Sequence, residues 1–129
     1  MNKKIKDKWV KALLSGKYHQ GTKRLKGSND SNIMCHCCLG VLCELYSKEH
    51  PKEEKFKLKD VNSSDYYISG ERYYLPKKIM EWAELEEKDP VVEVDYEHDE
   101  YSSTKTLSFL NDSHYYNFHD IARFIKNQL

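Results

Sequence analysis

The sequence predicts a single α+β domain over residues 1 to 129, with about four helices around a central cysteine-containing helix and a small antiparallel sheet. Three observations lead there. Apolar stripes of period 3.6 occur near both ends of the chain, the stretch 38 to 47 is apolar over more than half a helical circumference, and short β-favouring runs between 56 and 94 are separated by Gly and Pro. A chain of 129 residues buries roughly two thirds of the surface its unfolded form exposes, so one domain suffices without staples. Two Trp, four Phe and ten Tyr supply bulky core material, which separates the chain from disordered polypeptides.

The first helix is expected over residues 2 to 15. Ile5, Trp9, Ala12 and Leu13 form its inner stripe, Lys3, Lys4, Lys8 and Lys11 its outer face, and Gly16 suits the left-handed position just past the last turn. Residues 17 to 32 hold Gly21, Gly27 and a polar run, so a loop with one short extended piece around 18 to 25 is predicted. In the central helix Gly40 costs about 1 kcal/mol relative to Ala, which points to another element approaching the backbone there.

Pro51 and the charged residues after it end that helix. Phe56 and Leu58 then alternate with lysines, and residues 66 to 75, with Gly70-Glu71 in the middle, read as a tight hairpin. Leu75-Pro76 opens a helix carrying Ile79, Met80, Trp82 and Ala83. After Asp89-Pro90, Val91, Val92 and Val94 suggest a strand, followed by an acidic turn at 95 to 100 and a return that pairs with it. Residues 106 to 110 fit either a helical turn or a strand. Asn117 and Asp120 have the spacing of a helix cap, with Phe118, Ile121, Ala122, Ile125 and Leu129 as the inner stripe of a last helix. No internal repeat or low-complexity linker is evident.

Net charge is zero but unevenly spread. Residues 1 to 27 carry nine Lys/Arg against one acid, whereas residues 81 to 100 carry ten acids against one lysine. The asymmetry either separates an anion-attracting face from an anion-repelling one or is cancelled by packing the two segments side by side, and it argues against a uniformly basic nucleic-acid coat. No apolar run reaches signal-peptide or membrane-span length, so a cytoplasmic protein with reduced thiols is expected.

All four cysteines, Cys35, Cys37, Cys38 and Cys43, fall within nine residues. A zinc site would need ligands from elsewhere, such as His114 or His119, to complete the C-x-x-C of Cys35 and Cys38. A nucleophile at Cys37 or Cys38 would use the helix N-terminus and a distant base, His119 with Asp112. The preferred reading is apolar packing, with no catalytic residue, no metal and no cofactor.

The ligand-binding residues are sought instead in the segment after the first helix. Lys17, Tyr18, Gln20, Thr22, Lys23 and Arg24 combine permanent cations, hydroxyls and an amide with two flanking glycines, a composition suited to a phosphate-bearing ligand, although it is not a Walker sequence. The pairs Tyr66-Tyr67, Tyr73-Tyr74 and Tyr115-Tyr116 must leave several rings exposed if they lie in strands, and such rings can stack on a base. Asn111-Asp112-Ser113 could add hydrogen bonds to a pocket or merely form a turn.

The string Cys37-Cys38-Leu39-Gly40-Val41-Leu42-Cys43, with Leu75-Pro76, Trp82-Ala83, Leu110-Asn111-Asp112-Ser113, Phe118 and Ile121-Ala122, resembles small phage and prophage proteins of unassigned function. Lys8-Trp9, Ala12-Leu13, Ser15-Gly16-Lys17-Tyr18 and Gln20-Gly21 extend the resemblance to nearly the whole chain. This chain departs from the pattern at His36, where an aromatic residue is common, and in its more acidic stretch between 95 and 105. The resemblance implies an accessory product of a tailed phage acting in the host bacterial cytosol, and carries no catalytic set.

The resulting expectation is a non-enzymatic protein that sequesters a small nucleotide-derived ligand, a host-defence signal. The alternative is an inhibitor that binds a host defence protein through its acidic segment, residues 81 to 100. Neither membrane nor nucleic acid is expected as a partner, and a homo-oligomer is left open.

Overall fold

A computed structural model describes residues 1–94 and 103–129, so the expected acidic turn at 95 to 100 lies outside the described residues. The α+β class holds, with five helices among the described residues. Helix α1 (Lys3–Leu14) buries Ile5, Trp9 and Leu13, the stripe read from the sequence, and Asn2 caps it by accepting a hydrogen bond from Ile5 N. Gly16 follows with φ of 75°, the left-handed geometry that ends a helix without a Cβ penalty.

Three short strands come next: β1 (His19–Gln20), β2 (Lys26–Ser28) and β3 (Met34–His36). Their order is β1-β3-β2, with β1 parallel and β2 antiparallel to β3. The sheet is therefore mixed rather than purely antiparallel, because the chain leaves β1, forms β2 on the far side and returns between them.

Helix α2 (Cys38–Glu49) lies at the centre and buries every residue from Cys38 to Cys43, together with Tyr46 and Ser47. Trp9, fully buried, crosses onto it and donates from Nε1 to Cys38 O at 2.9 Å. Helices α1 and α5 (Phe118–Gln128) pack on each other, and α1 packs on α2. At α5 the Asn117 and Asp120 pair makes a full capping box, and Phe118, Ile121, Ala122 and Ile125 are buried.

The expected hairpin at 66 to 75 forms only in part. Ser69 and Gly70 both have positive φ, a tight turn closed by one bridge between Ile68 and Glu71. Strand β5 (Tyr66–Tyr67) pairs not with residues 72 to 75 but with β4 (Lys57–Leu58). Residues 72 to 74 are thereby free to face the β1–β2 segment. Helix α3 (Lys77–Ala83) follows Pro76; strand β6 (Val91–Val94) pairs antiparallel with β7 (Ser103–Thr106); and α4 (Leu107–Asp112) settles residues 106 to 110 as mainly helix, with Thr106 as its cap.

The basic and acidic segments meet where α1 begins and α3 ends, for Asn2 N donates to Ala83 O at 2.9 Å. Among the described residues, no helix is long and apolar enough to cross a membrane.

Candidate functional site

The loop between β1 and β2 is fastened along its length. Gly21 N donates to His36 O (2.8 Å), Lys23 N to Asp112 Oδ1 (2.9 Å), and Leu25 N to Arg72 O (2.8 Å), while Leu25 O accepts from Cys37 N (3.2 Å). Lys23 is held with φ of 67°, an uncommon conformation for a residue with a side chain. Beneath the loop, Asn111 is 1% exposed and uses both ends of its amide. Its Oδ1 accepts from Cys38 N (3.0 Å) and Gln20 Nε2 (3.4 Å), and its Nδ2 donates to Gly21 O (2.7 Å). One buried side chain thus ties the loop, the start of α2 and α4 together.

This framework leaves a depression beside the loop. One part of it, about 80 Å³, is lined by Cys37, Ser108 and Asp112 together with Lys23, Arg24, Tyr73 and Tyr74. It shares Lys23, Arg24 and Tyr73 with a wider, shallower hollow of about 560 Å³, whose other walls are Thr22, Ser64, Asp65 and Arg72.

Arg24 and Arg72 both hydrogen-bond the carboxylate of Asp65, one to each oxygen, and Arg24 also donates to Ser64 Oγ (3.0 Å) and to Ser28 O. Lys23 has no ion pair among the described residues. With three cations against Asp65 and Asp112, the lining carries a surplus of one positive charge. Tyr73 and Tyr74 are 48% and 37% exposed. The Arg72 guanidinium lies 5.0 Å from the Tyr73 ring centre and Lys88 Nζ 5.0 Å from that of Tyr74, which braces both rings.

The four thiols are free and buried. Cys37 caps α2, its Sγ accepting from Gly40 N at 3.4 Å. Burial pushes its thiol up to about 12, against the opposing pull of the Gly40 and Leu39 N–H groups, and the nearby carboxylates of Asp112 and Asp89 push the same way. Cys38 and Cys43 are raised well above the ordinary thiol range by the same loss of solvent. The described lining holds no histidine, and burial keeps the Cys37 thiol protonated at neutral pH. Among the described residues, no three His, Cys, Asp or Glu side chains are grouped to hold a metal ion. His36 is engaged elsewhere: its Nε2 meets Glu44 Oε1 at 3.0 Å, and Lys26 Nζ reaches the same oxygen at 2.8 Å.

Of the six residues singled out from the sequence, Thr22, Lys23 and Arg24 come together on the depression. Lys17 is exposed just beyond α1. Tyr18 turns toward α2, its hydroxyl accepting from Lys48 Nζ at 3.0 Å and its ring edge-on to His36 at 5.2 Å. Gln20 points to a separate polar hollow, donating to Tyr116 O at 3.0 Å.

Arg72 and Ser108 gave no local sign of belonging here. Tyr73, Tyr74 and Asp112 did stand out in the sequence, through the tyrosine surplus and the polar run, but nothing there located them against residues 22 to 24. On the other charged surface, Glu81, Glu84, Glu86 and Glu87 are exposed, and the rest of that acidic segment from 95 onward lies outside the described residues.

Among curated proteins and among solved structures, nothing matches this chain. A family model does, over residues 1–129, and the chain therefore belongs to the family described as a domain of unknown function, DUF8296.

Proposed function

We propose that the protein is a non-enzymatic binding protein that captures a small phosphorylated, nucleotide-like ligand in the depression between the β1–β2 loop and residues 72 to 74. In the setting that the phage resemblance implies, it acts as an accessory protein sequestering a host-defence signal in the bacterial cytosol. The observation that carries the reading is the pairing of a lining with one surplus positive charge, to which Lys23 adds a cation without an ion pair among the described residues, with two braced, half-exposed tyrosine rings around one opening. Lys23 and Thr22 meet the phosphate, Tyr73 stacks on the base, and the protonated thiol of Cys37 leaves the ligand chemically unchanged.

Calorimetry against mononucleotides, cyclic nucleotides and ADP-ribose tests this directly. At least one should bind, and Lys23→Ala should weaken it by about tenfold or more, since a hydrogen bond to a charged group contributes about 1.5–3 kcal/mol. The Lys23 side chain is exposed, so the variant keeps its fold. No heat from any of them at millimolar concentration refutes the reading. That outcome, together with a host protein retained through exposed Glu84, Glu86 and Glu87, would carry the inhibitor alternative instead.

A further inference from the structure

A second hollow adjoins the same loop. It measures about 340 Å³, has Gln20, Asn111, His114 and Tyr115 among its walls, and shares Thr22 with the wide hollow already described. Its base is fixed, because the Asn111 amide is buried and engaged at both ends and Gln20 Nε2 is anchored to Tyr116 O. Above it stands Tyr115, 89% exposed, a ring that burying against its own chain does not explain. Thr22 therefore borders both hollows and Lys23 follows it, with Tyr73 on the wall of one hollow and Tyr115 on the wall of the other. Lys23 supplies the one cation there without an ion pair among the described residues.

We infer that the ligand is a two-base molecule, two nucleosides joined by a phosphodiester, that spans the two hollows across Thr22 and Lys23. The inference rests on the proposed function and narrows it. One base stacks on Tyr73, the linking phosphate sits at Lys23, and the second base stacks on Tyr115. The charge balance selects the linker: a surplus of one positive charge matches the single negative charge of a phosphodiester, whereas a terminal phosphate brings about two and a triphosphate more. Gln20 Oε1, which accepts no hydrogen bond among the described residues, offers an acceptor to the edge of the second base.

The experiment is calorimetry with the dinucleoside monophosphates ApA, CpC, GpG and UpU, each against its own 5′-monophosphate and against an octanucleotide of the same base. At least one dinucleotide should bind about fivefold or more tighter than its mononucleotide, the least that one additional stacked base contributes. Tyr115→Ala should remove that advantage without weakening the mononucleotide, Tyr115→Phe should keep it, and Tyr73→Ala should weaken both ligands. If a mononucleotide binds and no dinucleotide improves on it, or if Tyr115→Ala leaves the advantage in place, the two-base inference falls while the proposed function stands. If nothing binds, both fall. An octanucleotide that binds far more tightly than its dinucleotide would mark a strand-binding surface and also overturn the inference.

Discussion

Replacing Gly40 by Ala should destabilise the protein, although helix propensity taken alone favours Ala by about 1 kcal/mol. A Cβ built at Gly40 would lie 1.8 Å from Leu25 O, 2.7 Å from Leu25 C and 3.2 Å from Leu25 Cα. These are backbone atoms, so no rotamer change relieves the contact; the two segments must separate by roughly 1 Å or more. Leu25 resists that separation. Its side chain is fully buried, its N–H is bonded to Arg72 O and its carbonyl accepts from Cys37 N. Losing or stretching those two bonds costs about 1 kcal/mol each, and overpacking a filled interior adds about 1–3 kcal/mol. After the propensity gain is subtracted, the expected loss is about 2–4 kcal/mol, a large share of a typical domain's stability. Urea unfolding followed by tryptophan fluorescence measures it through the midpoint. A Gly40→Ala protein with a midpoint equal to or above that of the wild type would show that α2 and Leu25 are not in the contact described, and with it would go the placement of Arg24 next door.

Two further outcomes follow from the buried polar groups. Burial alone would raise the Glu44 carboxyl, but hydrogen bonds from His36 and Lys26 outweigh it and hold the group down at about 2. Because the folded value lies below the unfolded one, this carboxylate stabilises the fold at neutral pH, and the contribution disappears as pH falls from about 5 toward 2. Allowing for partial exposure it amounts to about 2 kcal/mol. Urea midpoints measured over that interval should therefore drop more steeply for the wild type than for Glu44→Gln, and parallel curves would refute the assignment. The thiols give the second test: with Cys37 pushed up to about 12 and all four sulfurs buried, a disulfide reagent at pH 8 should leave Cys37, Cys38 and Cys43 unlabelled for minutes in the native protein and label them promptly in denaturant. Fast stoichiometric labelling of native Cys37 would contradict the packing role.

The parts of the fold legible in the sequence are those whose signal is local and repeated. The Ile5, Trp9, Leu13 stripe and the Asn117 and Asp120 cap declare α1 and α5, and the awkward Gly40 announces the close approach that Leu25 makes. Strands of two or three residues, such as Met34–His36, have no period to read, and the parallel partner of β3 is chosen by the path of the chain rather than by any pattern within it. The hairpin forms only in part for a related reason: the turn at Ser69 and Gly70 is encoded locally, whereas the pairing of Tyr66–Tyr67 with Lys57–Leu58 depends on a competing segment. Half of the proposed ligand residues fell on the site because they share one loop. The walls those three residues meet are brought to them by contacts across 41 positions, from Arg24 to Asp65, and 89 positions, from Lys23 to Asp112. Composition cannot register such distances.

Because the Asn111 amide locks the loop to the start of α2 and to α4, the hollow exists before anything enters it. Capture of the proposed ligand would then have no conformational step to wait for, and its association rate should be set by diffusion and by the weak pull of one excess charge, with little response to salt. Differences in affinity between ligands would consequently be expressed as residence times.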